Sequence, residues 1–284
     1  MDLIDLHVHS NASDGSLTPS EVADEALRMG LKAIALTDHD TVDGIPEILE
    51  YTKDKDLEVV PGIEVSCYYK KREIHILGFY IDYENEELQK ELNFLKEQRE
   101  NRNIKMVELM QKDGMNITME KLLHGNPDSV ITRAHFARVL VEEGICKDKE
   151  VAFRKYIGVG CKYYLPKPQV PCEKAMDILS KYAKCSFLAH PLLYHFGYAQ
   201  IEELVDYLKT LGLTGIEAYH SSNNAYESDK LRSIALHHDL LISGGSDFHG
   251  VVKPNIQMGK GRGGMKIPMR ILNNIKNTVI CSRT

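Results

Sequence analysis

The sequence predicts an α/β protein, and its pattern of strands and helices favours a barrel of the β/α type. Short apolar runs alternate with helical patterns along much of the chain, and ionisable residues stand where the apolar runs end. The active sites of β/α barrels lie at the carboxyl ends of their strands, which explains this placement. An open, doubly wound sheet is the alternative, because it also gathers polar residues at one edge.

The first strand, helix and strand are the most clearly marked elements. The apolar run at 3–6 leads into DLHVHSNASDG, residues 5–15. Residues 18–21, Thr-Pro-Ser-Glu, match a helix start with a capping box and proline in the first turn, and Gly30 ends that helix. A second apolar run then ends in TDHD, residues 37–40.

The later part of the chain repeats this alternation. Further strands are predicted at 57–60 leading into PGIE, at 73–81, at 185–189 leading into His190-Pro191, at 215–216 leading into Glu217 and His220, and at 240–243 leading into GSDFHG. Helices are predicted at 172–184, 199–211 and 224–238. About seven strands therefore build the predicted barrel.

Residues 86–164 interrupt the alternation, because they contain helical patterns and no convincing strand. The predicted helices span 86–113, 118–124, 133–143 and 148–157. The first of them is mostly charged, which usually indicates a solvated helix. We therefore predict a barrel formed by 1–85 and 165–284, with 86–164 as an inserted helical subdomain.

Composition excludes several classes of protein. A hydrophobic fraction of 43% and a charged fraction of 27% are typical of a soluble globular chain. The net charge of −6 argues against an extended nucleic-acid surface. No secretory signal or membrane-length apolar run is evident, so a cytoplasmic location is expected. The six cysteines form no C-x-x-C pair and are expected to be reduced.

The residues at the strand ends form a candidate metal site. His7 and His9 lie two apart and would point from the same face of a strand. One such pair alone is more often a surface feature, but several strand ends here supply metal-binding types. The candidate ligands are His7, His9, Asp14, His39, Glu64, His75, His190, Asp247 and His249. Mixed imidazole and carboxylate ligands favour zinc, manganese or iron, and nine ligands predict two or three ions with a bridging carboxylate.

Taken together, these motifs resemble the PHP family, the polymerase and histidinol phosphatase metallohydrolases. The motifs are DLHVHSNASDG, TDHD, PGIE, the His75 strand, LAHP and GSDFHG. The resemblance implies a distorted seven-stranded β/α (TIM-like) barrel with a trinuclear site. It assigns one metal to His7, His9, Glu64 and Asp247, a second to Glu64, His75 and His190, and a third to Asp14, His39 and His249.

The chemistry expected of this cluster is phosphoester hydrolysis. All nine residues would act in catalysis through bound metals, which lower the pKa of water and neutralise phosphoryl oxygens. No covalent enzyme intermediate is expected. Asp38 and Asp40 flank His39, and the sequence leaves open whether they orient it or move protons.

The inserted segment bears on the substrate. Within ITRAHFARVLVEEG, residues 131–144, Arg133 and His135 stand at a predicted helix start, a position that favours phosphate. Taken alone, a plain surface helix is the simpler interpretation. The segment through 153–156 nevertheless resembles the PHP subgroup that hydrolyses nucleoside 3′,5′-bisphosphates and trims 5′-phosphorylated RNA. That resemblance implies that Arg133 and His135 bind phosphate, that Arg138 is structural, and that the inserted helices cap the barrel mouth.

Two further points complete the expectation. After LAHP that subgroup has a small and a basic residue, whereas this chain has Leu192 and Leu193, which puts the substrate contacts of this loop in question. The expected substrate is a small phosphorylated nucleotide or a short RNA end, without a membrane partner. The alternatives are another PHP phosphomonoesterase, such as a histidinol phosphate phosphatase, and a non-catalytic metal-binding regulatory module.

Overall fold

The fold is a seven-stranded sheet that curls into a nearly closed barrel. The computed structural model describes residues 2–123, 129–166 and 170–281. The strands pair in chain order and are β1 (Leu3–Val8), β2 (Leu31–Leu36), β3 (Glu58–Tyr69), β4 (Arg72–Phe79), β5 (Cys185–Leu188), β6 (Gly215–His220) and β7 (Leu241–Gly245). The backbone N–H of His9 donates to Phe248 O at 2.9 Å, which brings the last strand end back to β1. The predicted barrel is confirmed.

One strand runs against the others. β4 pairs antiparallel with both β3 and β5, whereas the other four pairings are parallel. The amino-terminal half of β4 therefore reaches the rim where the parallel strands end. His75, the fourth residue of β4, lies opposite Ser66 of β3. The expectation that every ligand follows a strand end is wrong for His75, which lies within the reversed strand β4. It is also wrong for Glu64, which lies within β3 because that strand continues to Tyr69 instead of ending near residue 60.

Ten α-helices surround or extend the described barrel. They are α1 (Pro19–Arg28), α2 (Ile45–Thr52), α3 (Glu86–Lys112), α4 (Met119–Leu123), α5 (Arg133–Glu142), α6 (Lys149–Ala152), α7 (Cys172–Tyr182), α8 (Tyr198–Thr210), α9 (Ala225–His237) and α10 (Arg270–Cys281). A π-helical turn at Phe153–Ile157 continues α6. The capping box of α1 is confirmed, with Thr18 Oγ1 accepting from Glu21 N at 3.2 Å. The sequence prediction missed α2 and α10; the N-cap of α2 is Gly44, which has no side chain to mark the helix start.

The described part of 86–164 contains helices and no strand, as predicted. From Met106 onward it has a hydrophobic core of its own, which includes Phe136, Leu140 and Ile157. The first turns of α3 instead join the barrel core through Leu88 and Leu92. The division at residue 86 stays a prediction.

The middle of α3 corrects the expectation of a solvated helix. Arg99 and Arg102 are each only 5% exposed, and Asn103 is 1% exposed. Charged residues are rarely buried to this extent unless they are paired or functional. The middle of α3 therefore has a buried polar face, which its charged sequence did not predict.

Two expectations from composition can be compared with the described residues. No helix among them is long and apolar enough to cross a membrane. Five cysteines are described, and no disulfide joins any two of them: Cys67, Cys146, Cys161, Cys172 and Cys185.

Candidate metal centre

All nine predicted ligand residues converge on the barrel rim, around Glu64. This carboxylate is fully buried, and both of its oxygens face imidazoles. Oε2 lies 3.2 Å from His7 Nε2, 3.2 Å from His9 Nε2 and 3.1 Å from His39 Nδ1, while Oε1 lies 2.8 Å from His75 Nδ1 and 2.9 Å from His190 Nε2. Glu64 therefore lies where it can link several cation positions.

The first predicted group forms where β1 and β7 end. His7 Nε2 and His9 Nε2 lie 3.1 Å apart, so the His-x-His pair does point to one place. Asp247 Oδ1 approaches them at 3.7 and 3.4 Å. Asp247 has a positive φ of 58° and donates its backbone N–H to His7 O at 2.9 Å. This strained backbone turns the carboxylate toward the histidines.

The second predicted group lies where β3, β4 and β5 meet. His75 and His190 share Glu64 Oε1, and Tyr194 supports both strands. The Tyr194 hydroxyl accepts from His75 N at 2.9 Å and donates to Ala189 O at 2.6 Å. Leu193 is 43% exposed in the short helical turn that follows His190. Tyr194 therefore has a structural part in this loop.

The third predicted group contains Asp14, His39 and His249. Asp14 Oδ1 lies 3.1 Å from His249 Nε2 and 3.8 Å from His39 Nε2. Ligand atoms of His9 also fall within 4.8 Å of this set, and His39 can also join Glu64 and His75. The third predicted group recurs with His9 added, whereas His75 and His190 fall in different groups around Glu64, so the division of the nine residues among separate metals stays a prediction.

The chemistry of these donors fits divalent metal ions. Six imidazoles and three carboxylates are packed together with little access to water. Two of their ring nitrogens, His9 Nδ1 and His190 Nδ1, are buried without a hydrogen-bond partner among the described residues. Buried polar atoms are normally satisfied. The described residues therefore form clusters able to bind metal.

Charge is unevenly distributed within the cluster. Burial raises the pKa of Glu64, but His39, His7 and His75 outweigh it and hold that pKa well below its ordinary value. Burial lowers the pKa of both His9 and His75, but neighbouring carboxylates outweigh it. Asp247 and Glu64 raise the pKa of His9 to about 9, and chiefly Glu64 raises that of His75 to about 9. Without metal, these two imidazoles are therefore protonated near neutral pH.

We expect metal binding to release protons. An imidazole binds metal in its neutral form, and a pKa of about 9 means that His9 and His75 must lose protons at pH 7.5. Titration calorimetry of metal-free protein with Mn²⁺, in buffers of different ionisation enthalpy, measures the number released. Apparent affinity should rise with pH toward 9. Equal heats in all buffers would contradict the expectation.

Residues beyond the nine hold the ligands in place. Glu217 is fully buried; its Oε1 lies 2.9 Å from His7 Nδ1, and its Oε2 accepts from His190 N at 2.7 Å. His220 Nε2 lies 3.7 Å from Asp247 Oδ2. Both follow the apolar run at 215–216 in the sequence, and in the structure β6 continues through Glu217 to His220. Their role behind the ligands was not visible in the sequence, because it depends on packing across the barrel.

The acids that flank His39 are engaged elsewhere. Asp38 accepts from Ser10 N at 2.8 Å, Ser10 Oγ at 2.6 Å and Ser13 Oγ at 2.5 Å. Asp40 accepts from Ser66 N at 2.8 Å and pairs with Arg99. Asp38 thus holds the loop after β1, and Asp40 joins β3 to α3. These contacts favour a structural role for both.

The start of α5 is attached to the centre. Thr132 Oγ1 donates to Asp14 Oδ2 at 2.9 Å, and Thr132 N donates to His135 Nδ1 at 3.0 Å. Arg133 pairs with Glu73 at 3.1 Å, and Glu73 lies 3.6 Å from His75 Nε2. His135 therefore caps its own helix, while Arg133 stands one carboxylate away from a candidate ligand.

A cleft opens from the centre between the barrel and α5. Its volume is about 600 Å³, and Asp14 lies in its wall. The loop after β1 and Val251 and Val252 form one side, while His135, Arg138 and Lys149 contribute from the helices. A small organic phosphate could enter here and reach the ligand cluster.

Comparison with known proteins identifies the family of this chain. The family model described as PHP domain matches residues 5–185, well over half of the sequence. The chain belongs to the PHP family. The predicted resemblance is therefore confirmed, as is the predicted enzyme class of metal-dependent phosphoester hydrolase.

Named PHP relatives align over most of their length. The 3′,5′-nucleoside bisphosphate phosphatase of Chromobacterium violaceum is 34% identical over 251 residues, covering 87% of each chain. The 5′-3′ exoribonuclease Rnm of Escherichia coli is 32% identical over 263 residues, covering 91% of this chain and 88% of its own. A solved structure from Bifidobacterium adolescentis, assigned as a metal-dependent phosphoesterase, has a TM-score of 0.84, 29% identity and coverage of 96% and 95%.

Proposed function

We propose that this PHP protein hydrolyses a phosphate ester of a small nucleotide, either a nucleoside 3′,5′-bisphosphate or a short 5′-phosphorylated oligonucleotide. The observation that carries the proposal is the convergence of nine candidate ligand residues, seven of them buried, beside a cleft of about 600 Å³. The two named relatives above support the choice of substrate, since one is named for a nucleoside bisphosphate and the other for RNA.

The nine residues are the proposed ligands of two or three divalent ions, drawn from manganese, zinc and iron. Glu64 is the proposed bridge, because five imidazoles face its two oxygens. Bound divalent ions lower the pKa of water and neutralise charge on a phosphoryl group. The protein's own part is to fix the ligands: Glu217 orients His7, Tyr194 supports His75, and Thr132 orients Asp14.

Buried arginines supply the proposed contacts to substrate phosphate. Burial lowers the pKa of Arg99 to about 9 and that of Arg102 to about 10, with other nearby arginines adding to the effect. Arg102 Nε and Nη2 have no hydrogen-bond partner among the described residues. The guanidinium groups of Arg99 and Arg102 suit a phosphate group, because its oxygens can accept hydrogen bonds from several guanidinium donors. Of the two predicted phosphate contacts, His135 lines the cleft, and Arg133 stands two residues before it at the start of α5.

Residues 86–164 form the proposed substrate-capping subdomain, inserted between the barrel segments 1–85 and 165–284. Polar contacts join it to the rim: Ser129 Oγ donates to Ser13 O at 2.6 Å, and Lys149 Nζ donates to Val252 O at 2.8 Å. These contacts and the cleft beneath them support the proposal. The cap would exclude bulk water and limit the substrate to small nucleotides or strand ends.

Phosphate release from a substrate panel tests this function. Metal-loaded protein should release phosphate from a nucleoside 3′,5′-bisphosphate or a nucleotide from 5′-phosphorylated RNA, and act poorly on histidinol phosphate. Arg133→Ala should raise KM for the nucleotides by about tenfold, because one charged hydrogen bond is lost. Arg232→Ala is the matched control, since Arg232 pairs with Asp229 on the exposed surface of α9.

The panel also identifies the alternatives. Preference for histidinol phosphate, with KM insensitive to Arg133→Ala, would indicate another PHP phosphomonoesterase. Absence of turnover on every phosphoester, with fewer than two ions per chain in metal-replete protein, would indicate a non-catalytic module. Either result would overturn the proposed function.

A further inference from the structure

We propose that Lys253 binds the phosphoryl group of the substrate. The proposal rests on the proposed function, since it supposes that the ligand entering the centre carries phosphate. Lys253 lies in the loop after β7, four residues beyond His249. Its Nζ is 2.6 Å from Asp247 Oδ2. It is therefore a described cation in direct contact with a proposed metal ligand.

The two oxygens of Asp247 face different partners. Oδ1 is turned toward imidazoles, at 3.4 Å from His9 Nε2 and 3.5 Å from His249 Nδ1. Oδ2 is turned toward Lys253 and, at 3.7 Å, His220 Nε2. Oδ1 can thus serve a metal while Oδ2 keeps the ammonium group beside it. The lysine has three N–H donors, and one donor to Oδ2 leaves two for a second anion.

The position of the loop gives a ligand access to this ammonium group. Val251 and Val252, the residues before Lys253, line the cleft that also contains Asp14. The Lys253 side chain is 37% exposed. A phosphate in the cleft would lie beside Asp14 and the residues that precede Lys253, from which the part-exposed ammonium group is within a short reach.

Lys253 differs from the arginines in how directly it meets the centre. Arg99 pairs with Asp40, and Arg133 pairs with Glu73, so a carboxylate outside the proposed ligand set separates each from the cluster. These arginines suit a substrate phosphate that is bound next to the centre and is not hydrolysed. Lys253 instead suits the phosphate that is being hydrolysed, where its charge would stabilise the developing negative charge.

Phosphate binding and steady-state kinetics of Lys253→Met test the inference. With metal-loaded protein, the Kd for inorganic phosphate measured by calorimetry should rise about tenfold, and KM for a nucleoside 3′,5′-bisphosphate should rise similarly. Manganese content, measured by elemental analysis, should stay unchanged. Lys253→Arg should keep most of the phosphate affinity, and Lys260→Met, at an exposed lysine beside Gln257 Oε1, should match wild type.

Two results would overturn the inference. An unchanged phosphate Kd in folded Lys253→Met would show that the amine does not meet phosphate. Loss of manganese from this variant, restored in Lys253→Arg, would show that Lys253 only positions Asp247. Failure of wild-type protein to hydrolyse nucleotides would overturn the proposed function instead, and the phosphate titration would still decide the role of Lys253.

Discussion

Glu64→Gln is expected to abolish most phosphoesterase activity, lowering kcat/KM by about a thousandfold. The amide has nearly the shape of the carboxylate, so packing is preserved. It has no negative charge, however, and His7, His9, His39, His75 and His190 would all face it. An amide is a poor bridge between cations, so the metal content per chain should fall together with activity. Elemental analysis and phosphate-release assays on the same preparations measure both.

The matched control is Glu203→Gln. Glu203 pairs with Lys70 at 2.6 Å, and both side chains are 57% exposed, so this ion pair contributes little to the stability of the fold. The control should retain wild-type activity and metal content. Full activity of Glu64→Gln with wild-type metal content would refute the proposed bridging role, even if the enzyme class is correct.

The sequence was sufficient to predict the barrel and the residues gathered at its rim. His7 and His9 alternate along a strand, and Glu64 and Asp247 follow apolar runs, so local pattern alone brings these residues to one edge. His75 is different. It reaches the rim because β4 runs antiparallel to its neighbours, and a strand's direction in a sheet depends on pairing that its own sequence does not encode.

The supporting residues show a second limit. Glu217 contacts His7 across the barrel, and Tyr194 joins His75 to Ala189. The contacts of Glu217 with His7 and of Tyr194 with His75 join residues more than 100 positions apart, so no local pattern predicts them. Arg102 was missed for a related reason: a charged helix predicts solvation, and only tertiary packing shows which charges are covered.

Arg102→Met is expected to weaken substrate binding without weakening the fold. Arg102 is 5% exposed, and its Nε and Nη2 have no hydrogen-bond partner among the described residues. Burial lowers its pKa to about 10, which means that the charged guanidinium reduces the free energy of unfolding. Methionine has a similar reach and no charge to desolvate. The free energy of unfolding should therefore stay the same or rise by about 1 kcal/mol, as with other buried charges replaced by apolar residues.

The same substitution should raise KM for a nucleoside 3′,5′-bisphosphate by about tenfold or more, because charged donors to phosphate are lost. Urea denaturation and steady-state kinetics measure the two effects separately. Arg232→Met is the control, since its exposed pair with Asp229 should affect neither quantity. A loss of about 2 kcal/mol of stability with unchanged KM would make Arg102 a structural residue. A rise in KM at equal or greater stability would mean that the protein keeps this buried charge for its substrate.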